Sequence, residues 1–385
     1  MRSSKVLTDA DHDISVKSWE ISSDGVGDKA DPANWSVTKR TLSGGRQEGV
    51  EIIDVDNGAM TFTVVPTRGL NVWTAAVGDL RLGWDSPVKE IVHPQFVNLT
   101  ARGGCGWHDG FGEWISRCGL ESFGPPCKDG ERFLTLHGRV NYIPASFVEV
   151  LYEQLPTPRI LIRGTVNETL MFGPQLRLMT EIATEIGKPA LTLSDTVTNL
   201  GAGPQEWQTL YHINFGTPLV SEGAEFIAPV KRVAPRDSRA AENMSRWNAY
   251  EGPHPVGYRE EVYLMELYAD HRGNTETLLR SADGSQGALV SYNVQELPFM
   301  VLWKNEGPLK DGYVNGVEPA TGFPYPAPSE RTAGRVPRID AGETYHMQVT
   351  ITALTSRDEI QDAVSRISSL QQTDPEVAKT PIYAV

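Results

Sequence analysis

The stretch LTLSDTVTNLGAGPQEWQTLYH, residues 191–212, decides the fold. Leu191, Leu193 and Val197 alternate with Thr192, Ser194, Thr196 and Thr198, so an extended segment has one apolar face and one polar face. An Asn-Leu step and the turn residues GAGP then lead into a second apolar run that carries Tyr211 and His212. Alternation of period two, interrupted by glycine and proline, predicts antiparallel strands that each bury one face.

The same pattern extends outward along the chain. Met60, Phe62 and Val64 alternate with Thr61 and Thr63; Leu176, Leu178 and Ile182 share a face, as do Met347, Val349 and Ile351. With 36 glycines and 26 prolines in 385 residues, turn signals recur often enough for many short strands, which predicts an all-β chain built as a large antiparallel β-sandwich. One helix is expected. In SRDEIQDAVSRISSL, residues 356–370, Ser356 and Glu359 have capping-box spacing, and Ile360, Ala363, Val364, Ile367 and Leu370 line one face. The chain therefore divides into a polar N-terminal arm (1–45), a sandwich domain (46–355) and a C-terminal helix and tail (356–385).

A formal charge of -14 opposes binding to phosphate backbones, which needs clustered lysine and arginine, so no nucleic-acid partner is expected. No run of eighteen apolar residues and no apolar signal core is present, so neither a membrane span nor secretion is expected, and the reading is a soluble cytoplasmic protein. Cys105, Cys118 and Cys127 lack CxxC spacing, which favours reduced thiols over a disulfide framework or a zinc knuckle.

The densest group of aromatic and polar residues runs from Gly103 to Arg139. Trp107, Phe111 and Trp114 supply apolar faces for the C–H groups of a sugar, while His108, Asp109, Arg117 and Glu121 supply hydrogen bonds or charge. Rival readings of this region, a Cys105–His108 thiol pair and a metal site from His93, His108 and His137, rest on fewer features. Neither a GxSxG elbow nor a GxGxxG loop is present. Four short segments also stand out: PTRGLNVW with Arg68, FLTLHGR with His137, QTLYHINFGTP with His212 and NGVEPATGFP with Glu318.

In that order and spacing, these segments resemble the aldose 1-epimerase (galactose mutarotase-like) superfamily, and within it most closely the DUF4432 group, over roughly residues 45–355. The resemblance implies a pocket on the concave face of one sheet, Arg68 and His137 as substrate holders, His212 as general acid and Glu318 as general base. It implies no metal and no organic cofactor. Opening a pyranose requires loss of the anomeric hydroxyl proton and protonation of the ring oxygen, which an imidazole and a carboxylate on opposite sides of the sugar can perform.

Two departures from the family pattern shape the rest of the reading. The Asn-His pair that precedes the first His-Gly is missing, and no clear sugar-binding aspartate is found; Glu260 and Glu261 stand in its place, with Glu261 the candidate ligand. Arg68, Arg102, Arg117 and Lys304 add positive charge to candidate pocket segments, so Trp107, Arg117, Lys304 and Glu261 join the expected substrate contacts and acidic sugars join the expected ligands. The expected activity is anomer interconversion of a small-molecule sugar by a monomer or homodimer. The alternatives are a lyase, hydratase or isomerase acting on an oxidised or acidic sugar, or a non-catalytic sugar-binding protein.

Overall fold

The structure, a computed structural model, describes residues 2–26 and 33–383. Two large sheets of 10 and 13 strands face each other and account for most of the described chain. At the centre of the ten-stranded sheet, Thr344–Leu354, Ala190–Asn199, Gln175–Glu185, Arg159–Thr169 and Phe147–Glu153 lie side by side. At the centre of the other sheet lie Glu261–Leu267, Phe299–Asn305, Val314–Ala320, Gln208–Phe215 and Ile115–Leu120. These ladders are antiparallel; among the described residues, Glu376–Val377 is a strand that runs parallel to its neighbour, Val230–Pro235. The large antiparallel β-sandwich expected from the alternation is the fold observed.

Strands of the ten-stranded sheet bury alternate residues. Along Gln175–Glu185 the side chains of Leu176, Leu178, Thr180 and Ile182 point inward, and along Ala190–Asn199 those of Leu191, Leu193, Asp195 and Val197 do so. In the second sheet, Ile115–Leu120, Gln208–Phe215 and Val314–Ala320 are buried at every position, so both of their faces are covered. The inner face closes the main core. The outer face carries a separate cluster built from Trp84, Trp107, Phe111, Phe123, Leu210 and Val301 with their neighbours.

The described strands of the first 45 residues join the two sheets rather than standing apart as an arm. Arg2–Asp9 pairs antiparallel with Phe147–Glu153 in the first sheet, and Trp19–Ser22 and Ser36–Thr41 extend the second. Their alternation is short and interrupted, which hides it in the sequence, and Leu7, Trp35 and Val37 are buried in the main core.

The expected helix forms over Arg357–Leu370 with Ser356 as N-cap and both hydrogen bonds of the capping box, and it packs Ile360, Ala363 and Ile367 against Leu278, Leu289 and Leu354. Replacing the Ser356 side chain removes one bonded partner of an otherwise orphaned backbone N–H. We expect Ser356→Ala to cost about 1 kcal/mol, read as faster amide exchange confined to this helix.

Candidate active site

Strand parity sorts the candidate residues. His212 lies opposite Ser116, and Tyr211 lies opposite Arg117, so His212 and Arg117 project from opposite faces of the sheet. Glu318 lies opposite Val301, on the outer face with Trp303, whereas Lys304 lies opposite Asn315 and Glu261, on the inner face. His212 and Glu318 therefore meet on the outer face, and Arg117, Lys304 and Glu261 turn away from them.

On that face His212 is held by a definite network. The Asn214 amide donates through Nδ2 to the carbonyls of Glu113 and His212, each at 3.0 Å, which leaves its Oδ1 as an acceptor 2.6 Å from Nδ1 of His212. Nδ1 must then carry the proton, and Nε2 presents a lone pair. Glu318 Oε1 lies 3.2 Å from that Nε2, but the approach lacks hydrogen-bond geometry and leaves Oε1 buried without a partner among the described residues. Gly316 makes room for it, since a Cβ there would lie 2.1 Å from Oε1.

Burial pulls His212 down to about 3, against the opposing bond to Asn214. It pushes Glu318 well above the usual carboxylate range; the charge of Glu260 acts in the same direction and that of Arg236 in the opposite one. Both shifts favour the neutral forms, so burial opposes an ion pair at this contact, and the two groups share one transferable proton.

His137 completes the group, though it sits on a turn rather than at a strand end. Its backbone is left-handed (φ 58°), as is that of Gly138 (φ 70°), where a Cβ would strike the carbonyls of Ser122 and Gly119 at 2.3 and 2.4 Å. Nδ1 of His137 donates to the Phe123 carbonyl at 3.1 Å, and burial holds the ring well below its ordinary pKa. The ring centroid lies 5.3 Å from that of His212 and 4.7 Å from that of Trp107. Trp107 is fully buried and backs both histidines; the half-buried aromatic beside His212 is Trp303, at 5.2 Å.

Four expected substrate contacts lie elsewhere. Arg68 is buried against Glu113 at 2.5 Å, bonds the Val92 and Gly110 carbonyls and stacks on Tyr142, so it fastens the 92–113 loop. Arg117 crosses the core to Asp195. Lys304 bonds the Ala249 carbonyl and pairs with Glu306, and Glu261 is taken by Arg239, Asn243 and Tyr263. Arg102, which also contributed to the expectation of an acidic sugar, pairs with Asp109.

Sequence reasoning missed Asn214 and Arg236, and named Glu260 only beside the preferred Glu261. Glu260, one residue from the expected Glu261, accepts from Trp303 Nε1 at 2.7 Å and from Arg236 at 3.1 Å, and Arg236 is shared with Asp237 at 3.0 Å. Asn214 was readable in principle, because a polar residue two positions from His212 in a strand must share its face. Nothing local marks Arg236. The three cysteines are free thiols, as expected. His93, His108 and His137 do not form a metal-ligand cluster among the described residues; the grouping found there is Glu251, His254 and Glu306.

The two-sheet antiparallel sandwich matches a galactose mutarotase-like fold. Residues 47–353 match the family described as DUF4432, a domain of unknown function, and the chain belongs to that family. Its structure is similar to that of a "putative aldose 1-epimerase" from Klebsiella pneumoniae subsp. pneumoniae, with 35% identity, 99% of each chain covered and a TM-score of 0.96. More distant likenesses, which bear on the fold alone, include a galactose mutarotase-like protein from Clostridium acetobutylicum (13% identity, 83% of this chain and 98% of that one, TM-score 0.54). Another is the GalM/aldose epimerase homologue from C. elegans (12% identity, 80% and 100% covered, TM-score 0.51). No curated protein matches the chain significantly. Among the described residues, no helix is long and apolar enough to cross a membrane.

Proposed function

We propose that the protein is an aldose 1-epimerase-like isomerase that interconverts the anomers of a neutral sugar, with His212 and Glu318 as its acid–base pair. The observation that carries this reading is the buried, unpartnered Oε1 of Glu318 beside the lone pair of His212 Nε2. A buried polar atom without a partner costs roughly 1–3 kcal/mol, and a sugar hydroxyl placed there recovers it. His137 offers a further acceptor at Nε2, and Trp303 a face for the ring.

The chemistry balances with the one proton the pair holds. With His212 as acid and Glu318 as base, Glu318 takes the proton of the anomeric hydroxyl while His212 delivers one to the ring oxygen, the C1–ring oxygen bond breaks, and an aldehyde forms. Rotation about C1–C2 and reclosure reverse both transfers on the other face. Both shifts favour that proton on Glu318 over His212 Nε2, so His212 must gain it as the sugar binds before it can act as the acid. Neutral sugars are favoured because the arginines and lysine expected to read an acid group are already paired, and Arg236 is shared by two carboxylates.

NMR exchange on an equilibrated panel of neutral sugars and uronates tests this. We expect faster anomer exchange for at least one neutral aldose and none for the uronates. Binding of a sugar without accelerated exchange moves the function to a lyase or a binding protein.

A further inference from the structure

At one end of the sandwich, two cavities of about 650 and 470 Å3 meet and share Glu121, Arg132, Leu134, Phe172, Gly173 and Pro174. Each volume falls within the ~300–1,000 Å3 typical of small-molecule sites. Neither cavity is lined by His137, His212 or Glu318; Thr135 and Gly138 on the His137 turn are the nearest approach in sequence.

The floor of this trough holds three almost fully buried polar side chains with unused hydrogen-bonding atoms. Oε1 of Glu168, Oγ of Ser122 and both amide atoms of Gln208 have no partner among the described residues, and each residue is 1% exposed. Glu168 projects inward from Arg159–Thr169 in register with Ile162 and Val166, and its other oxygen accepts from the Leu120 amide at 2.7 Å. Ser122 and Glu168 line the larger cavity and Gln208 the smaller, and because buried polar groups are nearly always satisfied in native proteins, both cavities call for a bound partner.

The rim is apolar and open. Phe133 is 47% exposed, and the hairpin tip between Arg159–Thr169 and Gln175–Glu185 presents Met171 at 84% and Phe172 at 93%. Charge is mixed: Arg132, Arg139, Arg331 and Arg338 stand against Glu121, Asp129, Glu206 and Glu168, whose carboxyl burial lifts to about 7. Arg132 and Arg331 are already paired with Glu121, Asp129 and Glu206.

We propose that this trough is a second, non-catalytic site that binds a neutral oligosaccharide of two or more sugar units. A carboxyl, a hydroxyl and an amide offer the mixture of acceptors and donors that sugar hydroxyls need, and exposed phenyl rings suit the C–H faces of pyranoses. The mixed charge, with Arg132 and Arg331 already paired, disfavours an anionic ligand, and two joined cavities fit an elongated one.

Saturation-transfer NMR on the full chain with maltotriose, cellotriose and mannotriose tests the site. At least one trisaccharide is expected to bind saturably, with its affinity unchanged in His212→Asn and lowered roughly five- to tenfold in Phe172→Ala. Glu168→Gln is expected to weaken it as well. Phe172 is exposed, so Phe172→Ala decides the matter if the Glu168 variant does not fold. No binding of any of the three, or binding lost in His212→Asn and untouched by Phe172→Ala, overturns the proposal. The catalytic reading is scored separately by anomer exchange.

Discussion

Glu318→Gln is expected to slow anomer exchange by about 10²–10⁴-fold while making the folded protein more stable above pH 5. The first effect follows because an amide cannot take up the hydroxyl proton. The second follows from burial. Glu318 holds its proton in the folded chain well above 4.5, the value it returns to on unfolding. Above pH 4.5 the unfolded chain gains by ionising and the folded one does not, so the contribution of this group to stability is intact below 4.5 and is lost as pH rises toward the folded value. Glutamine has no such loss, so the gap in melting temperature between variant and wild type should open from about pH 4.5 upward. His212 behaves in the mirror sense: its folded value near 3 and unfolded value of 6.5 make it a liability as pH falls from 6.5 toward 3. Thermal melts at pH 4 and pH 8, paired with exchange rates, measure both. A variant that exchanges anomers at the wild-type rate removes Glu318 from the chemistry, and a melting-temperature gap that is the same at pH 4 and pH 8 would show that burial does not raise its pKa.

The second large effect concerns an expected sugar contact that proved to be a structural one. Arg117 bonds Asp195 twice, through Nε at 2.5 Å and a terminal nitrogen at 3.1 Å, and also reaches the Thr180 hydroxyl and the Leu70 carbonyl. Asp195 also accepts from Tyr211 at 2.8 Å. Arg117→Leu strands the carboxylate between the sheets, and breaking a buried pair in this way costs about 3–5 kcal/mol. Replacing both partners, Arg117→Leu with Asp195→Leu, should recover most of that, because no buried charge is left without an opposite. Urea unfolding distinguishes the two variants. The preference between neutral and acidic sugars should be the same in each; an altered preference with stability unchanged would return Arg117 to the sugar site.

The aspartate was visible in the opening stretch. Asp195 shares its face with Leu191, Leu193 and Val197, and a lone acid in an apolar stripe announces a buried partner. Reading the stripe as wholly apolar left Arg117 free to be given to the substrate. Parity would also have separated Glu260 from Glu261, since adjacent strand residues face opposite ways, but the choice needs the register with Trp303 and Lys304, which joins strands about forty residues apart. The sandwich and the long helix were legible because each rests on a local pattern, whereas the grouping of His137, His212 and Glu318 came only from the family resemblance of their short motifs. Arg68, Lys304 and Arg236 were not legible, because what decides them is the partner each finds across loops and between sheets.

The N-terminal strands carry a consequence for the margins of both sheets. The similarity to the family begins at residue 47, but the ladder of Phe147–Glu153 is covered by Arg2–Asp9, which is in turn met by the two-residue strand Ile14–Ser15. Trp19–Ser22 closes the far margin of the other sheet in only four residues. A sheet margin with open N–H and C=O groups is a template for joining another chain, and very short outer strands are one of the means by which proteins blunt it. The leading segment thus supplies the outer strands at one margin of each sheet, a duty that the motifs of the active site neither need nor reveal.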